Sequence, residues 1–276
     1  MGRRREVEGR IEALGEIHGI MESMKKLAMI EAHKLGGYHL TQQRVVDAIS
    51  RALDAVLSHH AIPAAEADAP VYLLLGSDRG FCGGYNEQLV ELLAQQPGHE
   101  TAPKIGVGRR LVDPLQRRYP EAQCLPGAAV ADEAGGVLST VVEVLNRLRL
   151  ERGPLRLEVI RFRPDNQGPL CQPALPPSPP SAGQGLPPLI NLPPRQLVGQ
   201  LLEHYLFALT HAWFFAALIA ENQQRMQHLE QAGDHLQHQV EELGKRRNML
   251  RQEEIIEEIE VILLSSEAVG APGAAL

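Results

Sequence analysis

Aromatic side chains are scarce, with five Phe, five Tyr and one Trp making up 4% of 276 residues, and there is no excess of basic charge. The formal net charge is -7, so the chain lacks the basic stripe by which proteins hold phosphate backbones, and nucleic acid is not expected as a partner. Three cysteines, Cys82, Cys124 and Cys171, have neither metal-ligand spacing nor a disulfide framework. They read as reduced structural thiols of a cytosolic compartment. Long hydrophobic runs are missing too. The most lipid-like stretch, 201–220, is interrupted by Glu203, His204 and His211 and reads as a helix packed on a core. The opening MGRRREVEGR has no apolar region, so neither a signal nor a transit peptide is expected.

Catalytic and nucleotide-binding motifs are also absent. SDRGFCGGYN has the strand, Gly-rich turn, helix outline of a phosphate cradle, but it has no G-x-G-x-x-G, no G-x-x-x-x-G-K-[ST] and no Lys to meet a β-phosphate. A tight strand-to-helix turn accounts for the glycines. Cys82 beside Arg79 is an alternative as an activated nucleophile, although no His lies nearby in sequence. Asp78 reads as a turn-fixing residue or surface contact. His228, His235 and His238 fall on the polar side of a helix without Cys or carboxylate partners at zinc spacing. No G-x-S-x-G elbow occurs. No active site, cofactor site or metal site of the chain's own is expected.

What is present is helical periodicity at both ends. Leu229, Leu236, Leu243 and Leu250 recur every seventh residue, with Val240 in the complementary slot, so one apolar seam runs down a long helix over 221–267. After Leu250 the pattern spreads into Ile255, Ile256, Ile259, Ile262 and Leu263, as though this end met a different surface. From Arg3 to about Leu57 a second stripe returns every three or four positions, through Ile11, Leu14, Ile17, Ile20, Met21, Met24 and Leu27, and resumes beyond Gly36-Gly37, which are expected to weaken or bend it. Residues 3–57 carry nine basic and eight acidic groups; residues 221–267 carry five and eleven. An antiparallel pairing sets Arg3, Arg4, Arg5 and Arg10 against Glu253, Glu254, Glu257, Glu258 and Glu260. Either this fixes orientation or both runs are solvated ends.

Between the helices lies an α/β pattern: VYLLLGS at 71–77 and KIGVG at 104–108 as buried strands, a helix restarting at Asn86, a helix over 133–150, and an alternating strand at 155–162. QCLPGAAV fits neither type well. Residues 164–194 hold more than half of the 20 prolines and read as an extended loop, a semi-rigid connector rather than an SH3-type ligand through PALPPSPP. The expected fold class is therefore α/β: a long antiparallel coiled coil of the terminal helices, with a small, mostly parallel Rossmann-like domain inserted between them. The expected parts are a shaft helix over 1–62, an insert over 63–194 and a second shaft helix over 195–276.

Three patches resemble the gamma subunit of F-type ATP synthases. They are Arg10-Ile11 followed by Ile20, Met21, Met24 and Ala28; then Asp78, Arg79, Gly80, Phe81, Cys82, Gly83, Gly84, Tyr85 and Asn86; then Asn248, Arg251, Gln252, Ile255, Ile256, Glu258 and Ile259, preceded by a looser match at Glu221, Arg225 and Met226. Met21 and Ile256 stand where the family has Thr, Lys26 where it has an apolar residue, and Val261 where it has Glu. With the Pro-rich loop, these departures look like those of a divergent paralogue, such as that of a secondary, N-type rotary ATPase. The resemblance implies a non-catalytic central-stalk rotor coupling ion translocation to ATP synthesis or hydrolysis. Its implied partners are the alpha and beta subunits of the catalytic ring, the epsilon subunit and the membrane c-ring, with membrane contact only through the complex, at the cytoplasmic face of a bacterial inner membrane. Implied coupling contacts are Met24, Lys25, Lys26, Asp78, Arg79, Cys82, Arg251, Gln252, Glu258, Ile259, Ile262 and Leu263. Two other readings of the same pattern are a nucleotide-binding α/β protein with a helical hairpin, and a static coiled-coil adaptor.

Overall fold

The computed structural model describes residues 2–60, 70–165, 167–174 and 187–269, with side chains described through residue 265. The Ala-rich linker around Pro63 and most of PALPPSPP lie outside these residues. Two compact units are present, one made of 1–26 with 229–276, the other of 27–228.

The first unit is a helix pair formed by the start of α1 (Gly2–Leu57) and the end of α5 (Pro194–Val269). Along α1 the residues half-buried at alternating steps of three and four are Arg4, Val7, Ile11, Leu14, His18, Met21 and Lys25. On α5, Leu229 is 2% exposed, and Leu236, Val240, Leu243 and Leu250 are half-buried. Each helix thus presents one heptad stripe, and the stripes meet antiparallel. Arg4 Nε pairs with Glu254 at 3.0 Å, the His18 ring lies 3.8 Å from where a Gly233 side chain would begin, and Lys25 Nζ reaches Glu230 at 3.6 Å.

The second unit is built on a five-stranded sheet in the order β3-β2-β1-β4-β5. Strands β1 (Pro70–Leu75), β2 (Lys104–Val107), β3 (Gln123–Leu125) and β4 (Arg156–Phe162) run parallel. β5 (Pro169–Pro173) pairs antiparallel with β4 and closes that edge. Its position corrects the expectation of a loop throughout 164–194. Pro169 and Pro173 stand at the ends of this edge strand, where a missing N–H costs no internal ladder bond.

Alternate residues of β1 face two cores. Val71, Leu73 and Leu75 point toward α4 (Ala134–Arg152) and the middle of α5, through Leu138, Val141, Leu209, Trp213 and Phe214. Tyr72 and Leu74 point toward α2 (Tyr85–Leu93) and α3 (Val112–Arg118), through Leu89, Leu93 and Leu115. Coverage of both faces explains why the parallel strands read as continuous apolar runs.

The part of α1 in this unit also runs antiparallel to α5. His39 Nδ1 bonds the Ala212 carbonyl at 3.0 Å and Gln42 Nε2 donates to Ala208 at 3.2 Å. Gly36 and Gly37, expected to weaken or bend the helix, sit inside an unbroken one. The neighbouring Leu35, 1% exposed in the core, supplies burial that offsets the roughly 1 kcal/mol cost of an interior Gly. α5 is long and apolar enough within 194–265 to pass a membrane-span test, yet all of 212–214 and 216–220 is buried in this unit. That stretch is core, as its interrupting charges imply.

Candidate functional site

The Gly-rich turn lies at the carboxyl ends of the parallel strands. β1 ends at Leu75, and Gly76 follows because a Cβ there would lie 2.6 Å from Leu111 Cβ. The Asn86 side chain accepts from Ser77 N–H at 3.0 Å and donates to its hydroxyl at 2.9 Å, tying the strand end to the first turn of α2.

Asp78 joins three strand ends. Its carboxylate accepts from the backbone N–H of Arg109, just past β2, at 3.1 Å and of Gly127, just past β3, at 3.0 Å. The Arg109 guanidinium adds contacts at 2.9 and 2.5 Å. Burial pushes the carboxyl up, but Arg109 and the two N–H groups together outweigh burial and hold it below its ordinary value. Asp78 acts here as the turn-fixing residue expected from its position. Gly108, at φ 122°, permits this closeness, since a Cβ there would lie 2.7 Å from the Ser77 carbonyl.

Cys82 is 4% exposed and donates to the carbonyls of Arg79 and Gly80 at 3.6 and 3.5 Å. Burial and the Glu221 carboxylate push its thiol up to about 11, against a smaller pull from Arg225. A thiol protonated at neutral pH is a poor nucleophile, so the activated-cysteine alternative falls. Arg79 is exposed, and so is Phe81, at 55% with φ 64°. A non-Gly residue held in the left-handed region costs on the order of 1–3 kcal/mol and persists only where its surroundings over-determine it.

Those surroundings come from α5. Arg225 Nε donates to the Gly80 carbonyl at 3.1 Å, Nη1 to Asn222 at 2.8 Å, and Nη2 to Cys82 Sγ at 3.4 Å and to the Glu221 carboxylate. Glu221 accepts the Arg79 N–H at 3.4 Å. Burial raises the Glu221 carboxyl, while Arg225 and the turn amides oppose the rise. Glu221 and Arg225 were legible only as a loose motif match. Two opposite charges four residues apart, directly after the apolar run 212–220, are the signal that could have found them.

In a doubly wound sheet the ligand crevice opens where strand order reverses, here between β1 and β4. That place is filled by the chain itself. Tyr85 stacks on Phe162 at 4.2 Å and donates to the Ala217 carbonyl, and Ala220 packs into the same core. A cavity of about 280 Å³ lies elsewhere, lined by His99, Glu100, Arg118, Tyr119 and Glu121. Lys104 beneath it already donates to Glu100, Ala102 and Glu121.

The remaining expected contact residues lie on the helix pair. Lys25 is engaged inside it, at 3.0 Å from Glu22 and 3.6 Å from Glu230, and Met24 is half-buried beside it. Lys26 is exposed. Arg251, Gln252 and Glu258 are exposed, as are Ile259 at 50%, Ile262 at 64% and Leu263 at 58%. Counting about 1.5 Å per residue from the Arg4–Glu254 tie, the stretch 255–264 reaches roughly 15 Å past it, and its apolar residues are 46–66% exposed.

Fold and site define an α/β protein with a mostly parallel sheet, long N- and C-terminal helices and a turn bound to the C-terminal one. A family model described as ATP synthase matches residues 3–269. The chain belongs to the ATP synthase family, on its gamma-chain branch. The ATP synthase gamma chain of Lachnoclostridium phytofermentans is 23% identical over 237 residues, covering 77% of this chain and 78% of that one. That of Desulfitobacterium hafniense is 28% identical over 124 residues, 40% of this chain and 42% of that one. Among solved structures, a chain of the Euglena gracilis mitochondrial ATP synthase OSCP/F1/c-ring assembly matches with a TM-score of 0.68 at 15% identity, covering 100% of this chain and 98% of that one. A chain of the same enzyme's rotor gives 0.63, covering 92% and 99%.

Proposed function

We propose that this chain is the central-stalk rotor of an ATP synthase or ATPase, without a catalytic site of its own. The observation that carries the reading is the contrast along α5. It is bonded into a helix pair through Glu230 and Glu254, then continues into a stretch whose Ile255, Ile256, Ile259, Ile262 and Leu263 are 46–64% exposed. Apolar surface of this kind at the end of a stiff helix calls for a sleeve of matching chemistry, and an apolar sleeve offers no directional bonds to resist turning.

In this reading the sleeve is the ring of alpha and beta subunits. Arg251, Gln252, Glu258 and Lys26 supply polar contacts to it, Arg79 and the turn around it meet a moving beta subunit, and the insert stands on epsilon and the c-ring. The complex sits at the cytoplasmic face of a bacterial inner membrane, which the chain touches only through its partners. A two-helix cross-section is lopsided, so each shaft angle favours a different set of open and closed catalytic sites. Angle then behaves as a ligand with differential affinity for those states, and the coupling is reciprocal: nucleotide turnover drives the angle and the angle sets nucleotide affinity. The departures at Met21, Lys26, Ile256 and Val261 support a divergent paralogue of a secondary rotary ATPase.

The test is a disulfide engineered between position 262 and the beta subunit facing it. Turnover of ATP by the assembled complex should stop on oxidation and return on reduction. A static adaptor would leave the oxidised complex active.

A further inference from the structure

The Glu221–Arg225 pair and the turn it grips carry an inference that rests on the rotor reading and goes beyond it. Four N–H groups of Arg225 are committed: one to the Gly80 carbonyl, one to Cys82 Sγ, and two to Asn222 and Glu221 on its own helix. Glu221 returns a bond from the opposite side, accepting the Arg79 N–H. The two side chains, 6% and 4% exposed, therefore hold three residues of the turn, Arg79, Gly80 and Cys82, which flank Phe81 on both sides. Phe81 itself is exposed and lies at φ 64°.

A buried ion pair is seldom retained for stability alone, since apolar residues of similar volume often do as well. Apolar residues have no means of gripping a carbonyl, a thiol and an amide together. The planar fork of Arg225 reaches the carbonyl and the thiol at once, which the single nitrogen of Lys does not, and the Glu221 carboxylate accepts the amide. We infer that Glu221 and Arg225 are positioning residues that make the turn 79–82 mechanically continuous with α5, so that load received at the turn passes into the helix. The strained backbone at Phe81 fits such a joint, because a turn free to relax would yield before transmitting force.

Three forms separate this role from ordinary packing: wild type, Arg225→Lys, and the double variant Glu221→Met with Arg225→Met, which replaces the pair by apolar volume and keeps the fold. Amide hydrogen exchange on the full chain should rise tenfold or more over 79–84 in both variants, with β1 and α4 unchanged. In the assembled complex both variants should hydrolyse ATP within twofold of wild type while moving half as many ions per ATP or fewer. Unchanged exchange over 79–84 overturns the fastening. Faster exchange with unchanged ions per ATP overturns the load-bearing role. A wild-type complex that stays active when cross-linked at position 262 overturns the rotor reading and the load-bearing role with it, while exchange reports separately on the fastening.

Discussion

The helix pair of 1–26 with 229–265 and the α/β unit of 27–228 use the same two helices in opposite ways. In the α/β unit α5 buries eight of the nine residues from 212 to 220, because a sheet and helices surround it. In the helix pair it buries one narrow stripe, in which Leu229 and Gly233 are buried and the other described seam residues half-buried. Packing stability therefore concentrates in the α/β unit, and the pair is specified by heptad spacing and charge placement. A rotating part needs that division, since surfaces that slide past partners must stay uncommitted within their own chain.

The contrast can be broken from either side. Leu89, fully buried between α2 and the sheet, should lose about 3–5 kcal/mol of unfolding stability on substitution by Ala, and the half-buried seam residue Leu243 only about 1 kcal/mol, as read by denaturant melts of the full chain. Equal losses would erase the distinction. Asp78→Asn should cost about 2–3 kcal/mol, because Arg109 and two backbone N–H groups lose a carboxylate acceptor. The Asp78 carboxyl lies below its ordinary 3.8 in the folded chain, so its contribution is present above that pH and is lost as pH falls through the folded value. The variant should show a correspondingly flatter acid limb.

His39 sharpens the comparison at a smaller scale. Burial lowers its pKa from 6.5, Arg161 adds to the effect, and the Ala212 carbonyl opposes it. The folded chain thus binds this proton less readily than the unfolded one, and stability should fall as pH drops from above 6.5 toward the lower folded value. His39→Gln keeps a donor for Ala212 and should remove that slope. Smallest in stability and largest in function is Arg251→Ala, which should leave the melt within about 0.5 kcal/mol because the residue is exposed. It should lower ions moved per ATP in the complex, and a lost fold would count against its assigned role.

Much of the fold could be read in advance where burial is continuous or strictly periodic. The runs at 71–75 and 104–107 became parallel strands because both faces are covered, and leucines seven apart became a seam. What escaped depended on distant partners. β5 has too few residues and too many prolines to announce itself, and becomes a strand only because β4 offers an open edge. Gly36-Gly37 suggested a weak point, which burial of the neighbouring Leu35 offsets within one continuous helix. At the turn, the nine-residue patch pointed to the right place, but the side chains gripping it from 221 and 225 lie some 140 positions away, and no local pattern connects them. Among the expected contacts, Lys25 read as a contact to a partner subunit; Glu22 lies within reach on its own helix, but its second acidic neighbour, Glu230, emerged only when α5 was laid alongside.

Arg4 and Glu254 are joined across 250 positions of chain. During synthesis the first helix leaves the ribosome long before the stretch of sequence that completes its stripe exists, so Ile11, Leu14 and Met21 wait in water until the partner part of α5, some 200 positions later, has been made. Contacts this distant close slowly, and the waiting surface is adhesive. Shielding of that surface by a chaperone, and loss of the pair on any truncation that removes the late half of the partnership, are what this connectivity predicts.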